Sequence, residues 1–189
     1  PSALVGSAPV DRQPPELQRV WLVRHGEVRN PEGLTYGRLP GFGLSARGHE
    51  QAQIAAAGLA KRLDGHEVRL VSSPLERAHQ TAAHFADALG AALITDERLI
   101  EAGSMREGLP RRVAPAAYLA RLLEPGAWQK REPAARVAAR MRASIEEHIR
   151  TEPRSELVIV SHQLPIWLAR AAFEHDVGSS RAGVRAGCA

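Results

Sequence analysis

Four short β-rich runs alternate with stretches patterned as helix: "RVWLV" (19–23), "VRLV" (68–71), "AALI" (91–94) and "ELVIV" (156–160). No two neighbouring runs are close enough for a tight hairpin. Strands joined through a helix return in the same direction, so the pattern predicts parallel pairing. "ELVIV" is apolar on nearly every residue, which suits a strand covered on both faces. The expected fold class is α/β, a single-domain three-layer fold with a mostly parallel sheet and helices on both faces.

The intervening segments carry helix punctuation. "LSARGHEQAQIAAAGLAKRLDG" offers Ser45 as N-cap and Gly65 as a stop. "SPLERAHQTAAHFADALG" offers Ser73 as N-cap, Pro74 at the first helical position, Glu76 to complete a capping box and Gly90 at the end. Residues 114–123 read as a short helix. Residues 132–150 read as a longer one, with Val137, Met141, Ile145 and Ile149 along one face. "LPIWLARAAFEH" closes the series. The 189 residues fit one domain, over 19–175. Residues 1–18 read as a flexible polar arm without the basic start and apolar run of a signal peptide. Residues 176–189 are Gly-, Ala- and Ser-rich and read as a disordered or truncated tail.

The net charge is +4 and almost all the cation is Arg. Such a balance admits phosphate or nucleic-acid partners. No basic run exceeds two residues, which disfavours nucleic acid. The one cysteine, Cys188, allows no intrachain disulfide and fits a reducing, cytoplasmic setting. No apolar run reaches membrane-spanning length, so no membrane partner is expected.

The chemistry sits where the strong strands end. The first ends in Arg24-His25-Gly26-Glu27, the second in "SSPLER" with Arg77 one turn into its helix, the last in Ser161-His162-Gln163. Ligands of open α/β sheets bind at the carboxyl ends of strands. Three chain-distant segments therefore converge on a pocket with two Arg, two His and helix N-terminal N–H groups, the makings of an anion site.

"LVRHGE", "SSPLERAHQTA" and "VIVSH", in that order, resemble the histidine phosphatase superfamily, also called phosphoglycerate mutase-like. The resemblance covers roughly residues 19 to 173, and "YGRLPGFGLSARG" and "RLIEAG" look like its loops. It implies His25 as a nucleophile that forms a phosphohistidine. Arg24, Arg77 and His162 would bind the phosphoryl group, and Gly26 would let the backbone come close. Glu27 would orient the pocket. It also points to Glu101 as the general acid and base, with Glu107 of "REGLP" as the rival. By position, Asn30, Tyr36, Gly37, Arg38 and Gln163 would line the substrate pocket. No cofactor and no metal are expected, since the arginines carry the electrostatic work and no ligand-spaced His or carboxylate cluster is present. Val28, "MREG" (105–108) and Gln163 depart from residues common in relatives, and they bear on the substrate pocket rather than on the catalytic set.

The expected function is metal-independent hydrolysis of a small phosphorylated metabolite. A cofactor-dependent phosphoglycerate mutase is the first alternative, disfavoured because mutase relatives carry larger insertions around the acid. A non-catalytic phosphate- or nucleic-acid-binding module is the second, disfavoured because binding alone needs no nucleophile and acid together. His49, His66, His79, His84, His148 and His175 are expected on helix or loop surfaces, and Trp128 and Trp167 in packing. Arg111-Arg112 are expected on a solvated loop, with contact to an anionic substrate tail as the alternative. The sequence leaves the substrate and the oligomeric state, a dimer included, open.

Overall fold

The computed structural model describes residues 19–177, so the arm and residues 178–189 of the tail lie outside the described residues, while 176 and 177, read as the start of the tail, still belong to the last helix. Strands β1 (Val20–Arg24), β2 (Val68–Ser72), β3 (Leu93–Thr95) and β4 (Glu156–Ser161) form one sheet in the order β1-β4-β2-β3. Every pairing is parallel. β4 lies between β1 and β2 and is buried on every residue, as its apolar run demands.

Helices α1 (Ala46–Arg62) and α2 (Glu76–Leu89) cover one face. There Ala56, Leu59, Ala78, Ala82 and Phe85 meet Val23, Leu70, Val158 and Val160. Helices α4 (Ala134–Thr151) and α5 (Gln163–Val177) cover the other, where Val137, Met141, Ile145 and Ile166 meet Leu22, Val71, Leu157 and Ile159. Alternate residues of each strand feed opposite cores, which is the period-two geometry of a sheet sandwiched between helices. The short α3 (Pro115–Leu123) stands apart, with no buried residue.

Several local signals work as read. The Ser45 side chain accepts from the Gly48 N–H and caps α1. Gly90 ends α2 in the left-handed region, where a side chain would be strained. α2 itself begins two residues later than its punctuation suggests. Leu75 is its N-cap, Glu76 its first residue, and no capping box forms. The Ser73 hydroxyl is instead drawn to His162, 2.8 Å away. Trp128 and Trp167 are 56% and 63% exposed rather than packed. His148 is buried rather than on the surface. Arg69 donates to its Nδ1 at 2.9 Å, and its Nε2 lies 3.2 Å from Asp96. The side chain of His175 lies outside the described residues.

All carboxyl ends of the strands lie at one end of the sheet, because every strand runs the same way. Two connections there are long (residues 25–45 and 96–133) and two are short (73–75 and 162), whereas all three at the opposite end are short (63–67, 90–92 and 152–155).

Candidate active site

The sheet ladder runs on past the strand ends and carries the site. The His25 N–H donates to the Ser161 carbonyl at 3.1 Å and the Ser73 N–H to the Val160 carbonyl at 3.0 Å. Segments following β1, β2 and β4 are thereby laid side by side. His25 and His162 come together with ring centroids 5.1 Å apart.

His25 is held in one tautomer. Its Nδ1 lies 2.8 Å from the Gly26 carbonyl, which can only accept, so Nδ1 carries the proton and Nε2 the lone pair. Burial pushes its pKa down to about 4 against the pull of that carbonyl, and the charges of Arg77 and Arg24 add to the lowering. The ring is therefore neutral near pH 7, with its lone pair on a nitrogen of fixed orientation.

That lone pair is occupied at rest. Arg77, buried in the first turn of α2, donates from Nε to His25 Nε2 at 3.3 Å and from Nη2 to the Gly37 carbonyl at 2.7 Å. Its guanidinium lies 4.7 Å from the Tyr36 ring centre. Burial lowers the Arg77 pKa, yet an arginine so placed stays charged. Thr81, one turn further along α2, accepts from the Gly26 N–H and donates to the Arg77 carbonyl, tying α2 to the His25 loop.

His162 lies behind His25, fully buried. Burial first, and then Arg77 and His25, push its pKa down to about 2. Its Nε2 meets the Ser73 hydroxyl, and its Nδ1 has no partner among the described residues. Ser73 is thus a site residue that sequence reading missed. Its S-P-x-E context is a local helix-cap signal, and only the fold reveals the histidine that competes for the hydroxyl.

Gly26 is tightly constrained, though by the protein's own backbone. A Cβ there would sit 2.5 Å from the Gly48 carbonyl oxygen, and one on Gly48 would meet the Glu27 carbonyl oxygen. The first turn of α1 is seated directly on the His25 loop. Glu27 stands exposed and accepts from the Ser45 hydroxyl at 2.7 Å.

The cavity has two lobes. The smaller, about 390 Å³, is walled by Arg24, His25, Gly26, Glu27, Asn30, Tyr36 and Arg111, among others. The larger, about 820 Å³, is walled by Glu101, Gly37, Gln163, Leu164 and Trp167, among others. Arg24, Tyr36 and Arg111 border both lobes. Arg111 is exposed on its loop, as expected, and its place on both walls also suits the alternative of meeting an anionic substrate.

The two rival acids separate clearly. Glu101 lines the larger lobe, and burial raises its pKa against the Ala102 N–H, 2.8 Å away, and nearby arginines. Glu107 points to the chain at Gly37–Arg38, where it accepts the Arg38 N–H at 2.9 Å. Arg38 does not line the cavity as its position suggested. It donates to the Glu101 carbonyl at 2.6 Å and meets Glu132 at 2.5 Å. Arg140 donates to both Glu132 carboxylate oxygens and to the Arg98 carbonyl. Glu132 thus joins two arginines, each of which grips a carbonyl of the segment that carries Glu101.

Comparison with known proteins places these features in a family. The histidine phosphatase superfamily (branch 1) matches over residues 20–182. The Mycobacterium tuberculosis protein Rv0525 is 44% identical over 165 residues, covering 82% of this chain and 78% of that protein. Phosphoserine phosphatase 1 of Hydrogenobacter thermophilus is 32% identical over 159 residues, covering 79% and 73%. Mycobacterial glucosyl-3-phosphoglycerate phosphatase, solved with VO3, superposes with a TM-score of 0.64 at 31% identity, over 80% of this chain and 79% of that one. An Escherichia coli putative alpha-ribazole-5'-P phosphatase superposes with a TM-score of 0.62 at 28% identity, over 83% and 79%.

Proposed function

The chain belongs to the histidine phosphatase superfamily, and on that premise we propose that it hydrolyses a phosphomonoester through a phosphohistidine on His25. The observation that carries this is the fixed tautomer of His25, a neutral imidazole whose Nε2 lone pair stands ready for phosphorus.

The phosphoryl group enters the smaller lobe beside Arg24 and His25. Arg77 gives up His25 Nε2 and turns its Nε–H to a phosphoryl oxygen. The exchange frees the nucleophile and places a buried cation against the charge spread over the transferring group. His25 Nε2 bonds to phosphorus as the ester oxygen departs toward the larger lobe, where Glu101 gives it a proton. In the second step Glu101 takes a proton from water, and the water oxygen attacks phosphorus, releasing phosphate and restoring His25. His162, held by Ser73 against the His25 ring, joins Arg24 and Arg77 in binding the phosphoryl group. Arg24 and Arg77 supply the positive charge that a metal would otherwise bring, so the reaction is metal-independent. The substrate is a small phosphorylated metabolite, in keeping with the phosphatase names of its relatives. The single cysteine suits a reducing, cytoplasmic setting.

The test is hydrolysis of 4-nitrophenyl phosphate with chelator present, by the native chain and by His25→Ala. The native chain turns over. The variant loses at least roughly a thousandfold, as removal of a nucleophile does. An active His25→Ala variant would overturn the mechanism.

A further inference from the structure

Resting on the phosphatase reading, we infer that the larger lobe selects phosphomonoesters whose alcohol portion carries a flat, aromatic-sized apolar ring, with Trp167 as the residue that determines this preference. Three observations carry it. First, the volumes are unequal: about 820 Å³ on the side where the alcohol leaves, against about 390 Å³ on the side of His25. A two- or three-carbon polar alcohol leaves most of the larger lobe to water. Second, α5 gives the lobe an apolar strip, flanked by Gln163 and Arg170 of the same helix. Leu164, Ile166 and Trp167 present it from the first turns of α5. Third, Trp167 and Leu164 are 63% and 44% exposed, although Ile166 between them is buried. Large apolar side chains left in water at the rim of a reaction cavity mark what that cavity takes. An indole offers a ring face for stacking at little conformational cost.

The lobe's other side supplies orientation. Tyr36 borders both lobes, its ring already faced by the Arg77 guanidinium on the phosphoryl side. A ring bound against Trp167 therefore sits between an indole and the Tyr36–Gly37 segment, with its phosphoester oxygen beside Glu101. Small polar esters gain none of this contact.

The experiment compares two primary alkyl esters of the same reacting group, 2-(naphthalen-1-yl)ethyl phosphate and ethyl phosphate, so that leaving-group acidity does not set the difference. The native chain is expected to favour the naphthyl ester in kcat/KM by roughly tenfold to a hundredfold, the range a hydrophobic pocket delivers. Trp167→Ala is expected to reduce that ratio to within about threefold, and Trp167→Phe to retain most of it. Both replacements lie at an exposed position, so loss of fold does not confuse the reading. Equal kcat/KM for the two esters in the native chain overturns the inference while leaving the phosphatase reading intact. A preference that survives Trp167→Ala unchanged overturns the assignment to Trp167. Failure of both esters together with 4-nitrophenyl phosphate removes the phosphatase reading and this inference with it.

Discussion

The proposed mechanism rests its acid–base chemistry on two residues whose pKa values burial displaces. His25 is held neutral, and Glu101 is held toward its protonated form. The first step needs both conditions at once. Protonation of His25 removes the lone pair, so kcat/KM falls on the acid side near pH 4, well below the ordinary histidine value of 6.5. Ionisation of Glu101 removes the proton donor, so the alkaline limb belongs to that carboxyl and stands above the usual carboxylate range. Glu101→Gln should cost an alkyl phosphate roughly a hundredfold to ten-thousandfold, and 4-nitrophenyl phosphate far less, because nitrophenolate leaves without a proton. Steady-state rates for the two esters decide this, and the same pattern in Glu107→Gln instead would move the role to Glu107. At this scale the gathering of the candidate residues at one end of the sheet was legible. Arg24 ends a strand and His25, Arg77 and His162 each follow one, and strand ends can be read from apolar runs. Arg38 and His148 were not legible. Both make their defining contacts with partners dozens of residues away, and no local pattern records that.

Among the elements, the segment from Asp96 to Glu101 shows how the protein aims a carboxylate from a loop. Asp96 caps a short 3-10 turn at Glu97–Leu99 and takes hydrogen bonds from Arg98 and Ser144, which hold its carboxyl well below the usual range despite burial. The Ser161 hydroxyl donates to the Leu99 carbonyl. Arg140 and Arg38 then hold the Arg98 and Glu101 carbonyls through their shared partner Glu132. Burial alone would raise the Glu132 pKa, but the Arg140 hydrogen bond and both arginine charges keep it low. Glu132→Ala should therefore destabilise the fold by about 3 kcal/mol, since two partly buried cations lose their partner. It should also lower kcat for alkyl esters with little change in KM. Thermal unfolding and steady-state kinetics test the two halves separately. An altered KM with unchanged kcat would place Glu132 in substrate binding instead. The elements themselves were readable because the helix and strand periods differ so plainly. The start of α2 was misread because Ser73 and Glu76 form a valid local cap signal, which a tertiary partner, His162, overrides.

For the whole molecule, the proposed phosphate site, built from three chain-distant segments, links ligand binding to global stability. Occupancy by inorganic phosphate at a hundredfold above its Kd should add about 2.7 kcal/mol. At this chain length that raises Tm by roughly 5–10 °C. Arg24→Ala should lose most of the shift, because Arg24 is exposed on the walls of both lobes and forms no ion pair among the described residues that its removal would break. Differential scanning at matched ionic strength, with chloride replacing phosphate, separates a specific effect from screening, and an equal rise in chloride would count against the site. The same architecture has a practical side. Long connections gather at the carboxyl ends of the strands, while the short, exposed turns at Asp64–Gly65 and Pro153–Arg154 lie at the amino ends of β2 and β4, a full strand length from His25. A tether to a solid support, or a fused reporter, attached at either turn would hold the catalyst by its blunt end and leave the mouth of the cavity turned toward the solution.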